Sequence, residues 1–553
     1  MPALPDPTVV ERPWVAAYPP GVPPTYDLPK VVLGRFVDDA ARDFGDRTAL
    51  VTSTSTMDHA TLRDRVDAVA TVLGELGLEA GDRVLVLLPN QATTPVVLFA
   101  LWRLGAVAVP LPPELGIDPL AAVAADARPA AAIGLEHTLE AMAGQRGLLP
   151  PVGVIVDGRE WEPRRGTSRL RRRRPAEAGE HLVRLGPLVG ALGQRRAVPP
   201  GPVPDDPAVL SYRYDVPRPR GTVLTHANLV ANAFQARLWV PDVQAGRERL
   251  LTADPLHELP ALTLGLLTGL LAAATIYLLD DPDPQTLAAA IDREQPTLLF
   301  TRPDRLARLV SESSSRRDLT SLRVCVTGGA PLDPEVTAEL EIRTSGARVR
   351  EGYGLREASP LTHAQPVYGR ASAQTMGLPV TDTVAVVVDP DDLETQLPAG
   401  TPGMLLVAGP QVAAGYWERP EETAATFRGP WVVTGDIVSV TDDGVFHHVG
   451  RADELVHRGG TLVSPRRVEE VLERHADVHR AGVAVLDGPT LVAVVTRRRR
   501  HRVAADELLA HCRAHLDAPA VPDRIEVAAE LPTTAAGEID RSELRHQLSG
   551  RTT

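Results

Sequence analysis

The chain has 553 residues, which at about 150 residues per domain predicts three to four structural units, or one large domain followed by a smaller one. Its 44% hydrophobic and 23% charged residues are typical of a globular protein, and its net charge of −13 argues against nucleic-acid binding. Cys325 and Cys512 are too few for a disulfide scaffold and lack metal-site spacing. With no secretory signal at the start, we expect a cytoplasmic protein.

Lysine is nearly absent from the chain. Lys30 is the only lysine among the 58 basic residues, so all the others are arginine. A Schiff base or a lysine clamp on a phosphate is therefore excluded everywhere except near the N-terminus. The important question is what replaces lysine at positions where chemistry needs one.

Short apolar runs alternate with helical patterns along most of the chain. The pattern predicts a strand at 84–88, a helix at Thr93–Leu104 and a strand at 106–110. Further buried strands are expected at 297–300, 324–326, 384–388 and 404–407. This alternation predicts α/β layers built on parallel sheet.

One uncharged segment, 259–279, is about as long as a bilayer span. It contains Pro260, Gly265 and Gly269, and its last residues have the composition of a buried strand. We therefore expect a core helix that leads into a buried strand, and no membrane span.

Two composition changes suggest the domain organisation. Residues 158–204 include a basic run and are predicted to be a flexible basic insertion; a second basic run covers 497–502. Solvated loops are the plain interpretation of both runs, and binding to a nucleic acid or to an anionic surface is the alternative. After residue 450 the pattern restarts, with a strand and turn expected at 454–460, strands at 482–485 and 491–496, and helices at 465–474 and 506–516. We predict domains at 1–450 and 453–553, with a hinge near Asp453.

Six segments carry a family resemblance, and they occur in a specific order and spacing. They are Gly81-Asp-Arg-Val, Leu224-Thr-His-Ala-Asn-Leu, Thr327-Gly-Gly-Ala-Pro-Leu, Glu351-Gly-Tyr-Gly-Leu-Arg-Glu, Thr434-Gly-Asp and Gly450-Arg-Ala-Asp-Glu. Together they resemble the adenylate-forming superfamily of acyl-CoA synthetases, fatty-acyl-AMP ligases and adenylation domains, and most of all the long-chain acyl-CoA ligases. The resemblance covers nearly the whole chain. It implies a large N-terminal domain of layered α/β subdomains and a small, mobile C-terminal α+β domain.

The resemblance also implies a two-step reaction. A carboxylate attacks the α-phosphate of ATP, which gives an acyl-AMP and pyrophosphate. The thiol of coenzyme A or of a carrier protein then attacks the acyl-AMP after the C-terminal domain rotates. The implied cofactors are ATP or AMP, Mg²⁺ and a thiol, and the implied partner is a small acyl or aryl molecule. An acyl carrier protein or a pathway enzyme is a further partner that this leaves open.

The residues that match the nucleoside-binding half of the family are retained. Asp436 matches the ribose-binding aspartate, Arg451 the arginine beside the hinge, and Glu357 the glutamate associated with Mg²⁺. The adenine-side segments match at Gly328, Gly329, Ala330, Pro331, Gly352, Tyr353 and Gly354. Simple turn chemistry would explain each glycine segment taken alone; their joint order indicates common ancestry.

The phosphate-binding half is replaced. Tyr212-Arg-Tyr-Asp-Val-Pro stands where the family has a glycine-rich Thr-Ser-Gly-Thr-Thr-Gly loop. Glycine in such a loop lets phosphate approach the backbone closely, whereas these side chains obstruct it and Asp215 repels an anion. Arg220 replaces the loop lysine, and it keeps the charge as a bulkier planar group.

Glu538 stands where the family has its catalytic lysine. At about 4 Å a unit charge contributes roughly 4 kcal/mol at an effective dielectric of about 20, so reversal of the charge removes up to roughly twice that. This opposes the approach of a carboxylate to a phosphate. Glu538 would otherwise be protonated, point away from the site or act as an acid or base; a solvated loop glutamate is the plain interpretation.

Three more substitutions fall in the predicted site. Arg356 occupies the family's threonine position, and His257 and Glu258 fall where a Phe-His pair is usual at the substrate pocket. Arg356 would add charge near the α-phosphate, or would pair with Glu357 or Glu258 and fill the site. The leading hypothesis is an acyl-CoA-ligase-like protein of bacterial specialised metabolism with adenylation lost or strongly reduced. The alternatives are a working ligase with an arginine phosphate clamp, using Arg213, Arg218, Arg220 and Arg356, and thioester formation from a preformed acyl-adenylate.

Overall fold

The structure is a computed structural model, and it describes residues 4–158, 161, 182–192, 201–214, 218–313, 316–369, 371–458, 461–486, 490–498, 504–533 and 539–549. The elements up to residue 451 form one large α/β unit, and the elements that follow form a smaller unit with its own sheet. This is the architecture that the family resemblance implies.

The strands of the large unit are β1 (Thr48–Val51), β2 (Thr56–Asp58), β3 (Arg83–Leu87), β4 (Val107–Pro110), β5 (Ala131–Gly134), β6 (Val152–Ile155), β7 (Leu182–Arg184), β8 (Pro207–Arg213), β9 (Arg220–Thr225), β10 (Arg249–Thr252), β11 (Thr275–Leu278), β12 (Leu298–Phe300), β13 (Val324–Gly328), β14 (Arg348–Gly354), β15 (Leu361–Ala364), β16 (Leu378–Pro379), β17 (Val384–Val388), β18 (Gly403–Ala408), β19 (Gly415–Tyr416), β20 (Phe427–Arg428), β21 (Trp431–Val440) and β22 (Phe446–Arg451). Its helices are α1 (Gly34–Phe44), α2 (His59–Glu75), α3 (Thr93–Leu104), α4 (Ile117–Ala127), α5 (Glu136–Ala143), α6 (Leu185–Leu192), α7 (His226–Trp239), α8 (Thr268–Leu271), α9 (Pro284–Glu294), α10 (Pro303–Glu312), α11 (Pro334–Arg343) and α12 (Pro420–Thr426).

The described residues of the large unit form three sheets. One has the strand order β16-β15-β14-β13-β12-β10-β11-β1-β2, and a second has the order β19-β9-β8-β4-β3-β5-β6-β7. The third is an antiparallel sheet in which β17, β18, β21 and β20 are neighbours and β22 pairs with β21. Helix α3 is buried on almost every side because its sequence is apolar all round, and Phe99 and Trp102 are among its fully buried side chains.

Most of the predicted elements are present. Helix α3 has the predicted bounds, and β3, β4, β12 and β13 lie at predicted strands in parallel sheet. The predicted strands at 384–388 and 404–407 are β17 and β18, but they pair antiparallel, so the expectation of parallel sheet is wrong there. Buried strands read as continuous apolar runs in either arrangement, so composition alone did not distinguish them.

The uncharged segment 259–279 forms a core helix and a strand, as predicted. A π-helical segment, Ala261–Leu267, continues into α8, and β11 follows as an interior strand between β10 and β1. Among the described residues, no helix is both long and apolar enough to cross a bilayer.

The predicted flexible insertion at 158–204 is wrong for 182–192. Strand β7 extends the second sheet by parallel pairing with β6, and α6 follows it and packs on α2. The apolar side chains of α6 recur at helical spacing, with Leu185 fully buried and Leu188, Val189 and Leu192 packed against the core. The arginine-rich sequence on both sides of α6 made this short helical pattern difficult to recognise. The rest of the predicted insertion lies outside the described residues, except for Gly158, Trp161 and 201–204.

The smaller unit is α+β, as predicted. Its elements are β23 (Val456–Arg458), β24 (Thr461–Val463), α13 (Pro465–Glu473), β25 (Val478–Val485), β26 (Leu491–Arg497), α14 (Ala505–His515), β27 (Arg524–Ala528) and α15 (Arg541–Ser549). Strands β25, β26 and β27 form its main sheet. Alternate residues of β26 face opposite sides: Ala493 and Val495 pack with α13 and α14, whereas Val492 and Val494 pack with α15.

Candidate active site

The adenine-side segments lie at the carboxyl ends of two neighbouring parallel strands. In the register of β13 and β14, Gly328 lies opposite Gly352. A Cβ atom at residue 328 would lie 2.6 Å from the carbonyl oxygen of Gly352, and one at residue 354 would overlap the carbonyl oxygen of Pro360. Open α/β sheets bind ligands at this end of their strands. The glycines therefore allow the close backbone packing that shapes one wall of the candidate site.

Tyr353 and Asp436 are in direct contact, although 83 residues separate them. The phenol of Tyr353 donates a hydrogen bond to Asp436 Oδ2. On the other carboxylate oxygen, His448 Nε2 lies 3.3 Å and Arg451 Nη1 3.4 Å from Asp436 Oδ1. The pairing register of β21 and β22 brings Arg451 to this carboxylate, because Asp436 lies directly opposite Arg451.

These contacts decide the ionisation state of the site. Burial alone would raise the pKa of Asp436, but the hydrogen bonds from His448 and Tyr353 and the charge of Arg451 lower the pKa overall. Burial and the charge of Asp436 raise the pKa of Tyr353 well above its usual value. The site therefore presents a carboxylate beside a neutral phenol, which is suited to accept hydrogen bonds from vicinal hydroxyl groups.

Arg451 connects this carboxylate with the start of the smaller unit. Its Nη1 donates to the carbonyl oxygen of Thr434 at 3.0 Å, and its Nε lies 3.4 Å from Asp453 Oδ1. Asp453, the predicted hinge residue, follows the last strand of the large unit.

The segment that replaces the glycine-rich loop extends a β-hairpin. Tyr212 pairs with Gly221 and Arg213 with Arg220 in the register of β8 and β9. The Tyr212 ring is buried, its hydroxyl donates to Asp126 Oδ2 at 2.7 Å, and a Cβ atom at residue 221 would lie 2.7 Å from its Cζ. The first two positions of the lost loop therefore belong to the sheet and the core. Asp215 and the two residues after it lie outside the described residues.

The fold brings Arg220 close to Glu357, and both residues were predicted to belong to the site. Arg220 Nη2 lies 3.9 Å from Glu357 Oε1, and its Nη1 lies 3.2 Å from Glu422 Oε2. Its guanidinium also stacks 4.1 Å from the ring centre of Tyr416, whose hydroxyl donates to Glu357 Oε1 at 2.7 Å. Neither Tyr416 nor Glu422 belongs to a recognised motif.

A cleft of about 740 Å³ opens beside this hairpin. Four arginines line it, Arg213, Arg218, Arg220 and Arg419, together with Asp126 and Glu422. Arg419 forms an ion pair with Asp126. Arg213, Arg218 and Arg220 belong to the arginine phosphate clamp that the sequence suggested. Arg419 was not predicted, and only the fold places it in this cleft.

The pair that replaces Phe-His, His257 and Glu258, lies beside a further arginine. Arg302 Nη1 is 3.3 Å from Glu258 Oε1. Burial, with Arg302 nearby, lowers the pKa of His257 to about 4, so this imidazole is neutral at pH 7. Burial raises the pKa of Glu258, although the charge of Arg302 opposes that shift.

Arg356 is exposed, and it is not the main partner of either predicted glutamate. Glu357 has its hydrogen bond from Tyr416 and an ion pair with Arg220, and Glu258 has its ion pair with Arg302. Arg356 is near enough for its charge to lower the pKa of Glu258. Among the described residues, Arg356 therefore forms no direct ion pair with either glutamate, and the alternative that it adds charge near an α-phosphate stays a prediction.

A second cleft, of about 940 Å³, separates the large and small units. The wall from the large unit includes Gly328, Gly329, Ala330, Arg302 and Arg451, and Pro331 follows on the same loop. The wall from the small unit includes Glu469, Glu470, Arg541 and Ile539. Glu538, the predicted catalytic-lysine position, lies outside the described residues, but its neighbour Ile539 lines this cleft.

Comparison with known proteins agrees with this geometry. The model of the AMP-binding enzyme family matches residues 37–417, and the model of its C-terminal domain matches residues 467–538. The chain belongs to the AMP-binding enzyme family. It is therefore an adenylate-forming-type protein in its fold and ancestry.

Among its relatives, this family member is 30% identical over 549 residues to a long-chain-fatty-acid–CoA ligase of Bacillus subtilis (strain 168), covering 97% of this chain and 98% of the relative. It is 32% identical over 530 residues to a feruloyl-CoA synthase of an Amycolatopsis species, covering 93% and 99%. The anthranilate CoA ligase AuaEII, solved with anthranoyl-AMP, superposes with a TM-score of 0.80 at 25% identity over 95% of this chain and 99% of that one. The amide bond synthetase McbA from Marinactinospora thermotolerans has a TM-score of 0.78 at 26% identity over 94% and 100%.

Magnesium is a cofactor that the family implies, and Glu357 is the candidate ligand. Its carboxylate is the oxygen type that Mg²⁺ prefers, and Mg²⁺ commonly binds one or two carboxylates together with substrate phosphates. Because Arg220 lies 3.9 Å from Oε1, the carboxylate is already partly neutralised. The residues fit Mg²⁺ when phosphate oxygens supply most of its ligands.

Proposed function

We propose that this AMP-binding family member binds an adenosine 5′-phosphate group, as AMP or as an acyl- or aryl-adenylate, and that its ATP-dependent adenylation of carboxylates is lost or strongly reduced. The observation that carries the proposal is the contrast between two parts of the site. Tyr353, Asp436 and Arg451 form a pre-organised carboxylate site, whereas Tyr212 fills the place of the phosphate loop.

The nucleoside part supports binding. The Asp436 carboxylate is held on both oxygens, so its geometry needs no rearrangement to accept ribose hydroxyl groups. Gly328, Gly329 and Ala330 line the cleft with small side chains, so a flat base could lie against the backbone there. Arg302 and Arg451 line the adjoining cleft and provide positive charge for one phosphate.

The triphosphate part argues against efficient adenylation. Positions 212 and 213 are paired in the sheet, so they do not form a glycine-like nest of free amides. Glu538 carries a negative charge at the sequence position of the family's catalytic lysine, and that lysine acts where two anions approach each other. Both departures act on the first step. Thioester formation from a preformed adenylate would not need the lost lysine, so coenzyme A or a carrier-protein thiol stays a candidate co-substrate.

The acyl partner is proposed to be a small acyl or aryl carboxylic acid. The relatives are named for long-chain fatty acids, ferulate and anthranilate, and all three are carboxylic acids. Rotation of the smaller unit about a hinge near Asp453 would then bring a thiol to the bound adenylate.

The test compares AMP with ATP. AMP, or a sulfamoyl analogue of an acyl-adenylate, is expected to raise the melting temperature of the chain, and ATP is expected to raise it no further. Pyrophosphate exchange with a panel of fatty and aromatic acids is expected to stay near background. Vigorous, carboxylate-dependent exchange would overturn the loss of adenylation; no stabilisation by AMP or the analogue would overturn the binding proposal. Supplying acyl-AMP with coenzyme A tests the thioester step separately.

The second candidate function is a working ATP-dependent ligase, and the arginine-lined cleft is the observation that favours it. The cleft lined by Arg213, Arg218, Arg220 and Arg419 could hold the β- and γ-phosphates, so the chain would be a working ligase with an arginine clamp. In that case ATP stabilises the chain more than AMP does. Arg220→Ala would then abolish exchange, and Arg146→Ala, a surface arginine that does not line this cleft, would leave it unchanged.

A further inference from the structure

The smaller unit carries a cluster of histidine and carboxylate side chains that the proposed function does not use. His475 and Asp477 lie on the turn between α13 and β25, and Glu507 lies on the first turn of α14. His475 Nδ1 is 4.0 Å from Asp477 Oδ2, and His475 Nε2 is 3.9 Å from Glu507 Oε1. One ligand atom from each residue lies within 4.8 Å of the other two.

Two more histidines continue the cluster along α14. Glu507, His511 and His515 follow each other at intervals of four, so they share one face of the helix. The His511 ring packs edge-on against His475 with centres 5.1 Å apart, and His515 lies 4.3 Å beyond it.

His511 is held in a fixed orientation. Its Nε2 donates to the carbonyl oxygen of Val471 at 3.0 Å, which leaves Nδ1 with the lone pair. A histidine whose second nitrogen donates to a backbone carbonyl is the arrangement usual at metal centres. Because the His511 ring packs against His475, it supports the position of His475.

We propose that His475, Asp477 and Glu507 bind a divalent transition-metal ion, with Zn²⁺ as the ion that their ligand types suit, at a site separate from the adenylate cleft. Imidazole nitrogen with carboxylate oxygen is a ligand set that Zn²⁺ accepts with water in the fourth position. Mg²⁺ and Ca²⁺ prefer oxygen ligands alone, so a histidine makes them poor occupants.

The distances are close to those that the ion needs. Tetrahedral zinc with bonds of about 2.0–2.2 Å places its ligand atoms roughly 3.3 Å apart. The 4.0 Å and 3.9 Å distances start from opposite nitrogens of the His475 ring, and one ion binds only one of these nitrogens. The relevant measure is therefore the 4.8 Å within which one ligand atom of each residue lies, and rotation of the Glu507 side chain, which is 58% exposed, would shorten it. An ion on Nδ1 would replace the long hydrogen bond of 3.3 Å that the Asp477 amide donates to this nitrogen.

Thiols do not compete with this site. Cys325 and Cys512 are both buried, and burial raises the pKa of Cys512 to about 11, so neither presents a thiolate at neutral pH. The ion would join the α13–β25 turn to α14 and stabilise the smaller unit.

The experiment titrates the full-length chain, stripped of metal, with Zn²⁺ in a calorimeter at pH 7.5. We expect one site per chain, with affinity at least tenfold weaker in His475→Ala and in Glu507→Gln. His479→Ala removes an exposed histidine of the same unit outside the cluster, and it is expected to bind as the unmodified chain does. Circular dichroism establishes that each variant is folded, and Glu507→Gln changes only an exposed side chain.

Two results would overturn the proposal. One is unchanged Zn²⁺ affinity in the His475→Ala/Glu507→Gln double variant, which would place binding at other histidines. The other is binding of Mg²⁺ or Ca²⁺ as tight as that of Zn²⁺, which would exclude the nitrogen ligand. A rise in melting temperature with Zn²⁺ that disappears in Glu507→Gln supports it.

Discussion

Asp436 and Arg451 face each other across the hairpin of β21 and β22, with Arg451 Nη1 3.4 Å from Asp436 Oδ1. The same arginine lies 3.4 Å from Asp453, where the chain enters the smaller unit. A ligand that hydrogen-bonds Asp436 therefore acts on a side chain that also contacts the predicted hinge. If Asp436 binds a nucleoside as proposed, Arg451 would connect that binding with the start of the smaller unit.

The first prediction concerns Asp436. Asp436→Asn removes the charge that accepts hydroxyl protons, so we expect AMP affinity to fall at least tenfold, which corresponds to about 1.4 kcal/mol. Tyr353→Phe is the matched comparison, since it removes one donor while His448 and Arg451 still hold the carboxylate. Its effect is expected to be smaller. Calorimetry measures both, and equal AMP affinity in Asp436→Asn and the unmodified chain would contradict the assignment.

The second prediction concerns the charge at residue 538. Glu538→Lys restores the family's charge, and we expect carboxylate-dependent pyrophosphate exchange to rise at least tenfold. Glu538→Gln removes the repulsion without adding attraction, so its gain should be smaller. If neither variant changes the exchange rate, the charge at this position does not limit adenylation, and the replaced phosphate loop would be the dominant obstacle.

The third prediction concerns the packing of the adenine-side wall. Gly354→Ala places a Cβ atom against the carbonyl oxygen of Pro360, and backbone there can move only with β15. We expect a loss of roughly 1–3 kcal/mol in the free energy of unfolding and weaker AMP binding. Gly190→Ala is the control: Gly190 is an exposed position of α6 with nothing within 4 Å of the added atom, so the substitution should stabilise by up to about 1 kcal/mol. Urea denaturation compares the two, and equal stability of both variants would contradict the packing argument.

The fourth prediction is a pH dependence that arises from Glu469 in the cleft between the units. Burial raises the pKa of Glu469 from 4.5 to about 7, although Arg541 Nη2 lies 2.7 Å from it and opposes that shift. Between pH 4.5 and 7 the folded chain therefore holds a proton that the unfolded chain has lost, so stability falls as pH rises through this window. The fall is at most roughly 3 kcal/mol.

Thermal unfolding from pH 5 to pH 8 tests this prediction. Glu469→Gln cannot ionise, so the dependence of its melting temperature on pH should be flatter than that of the unmodified chain. Glu470 lies on the same helix, and its side chain is 36% exposed. The melting temperature of Glu470→Gln should therefore depend on pH as strongly as that of the unmodified chain. An identical pH profile in all three proteins would rule out Glu469 as the titrating group.

Much of the fold was predictable from local patterns. Helix α3 and strands β17, β25 and β26 follow from runs of apolar residues bounded by glycine, proline and polar residues, whereas β24 and β27 were not predicted. The pairing direction of β17 and β18 was not predictable, because a strand buried on both faces reads the same in a parallel or an antiparallel sheet. Helix α6 escaped detection because its eight residues lie between arginine- and proline-rich stretches.

The sequence alone determined the family and the changed residues of the site. Ordered motifs identify common ancestry, and a glutamate at position 538 or a tyrosine at position 212 is visible without coordinates. Their chemistry follows from charge and size, which belong to the residue itself.

Only the tertiary structure decided the partners. Strand order and helix packing bring distant segments together. They place Arg302 beside Glu258, and they place both Tyr416 and Arg220 beside Glu357. They also bring the α13–β25 turn to α14. Such contacts depend on sheet register and layer packing, which are set by the whole core and leave no signal in the residues on either side. The chain has almost no lysine, and arginine stands at position 220 where the family has its loop lysine. The fold shows that Arg220 is held by the carboxylates of Glu357 and Glu422 and by the ring of Tyr416.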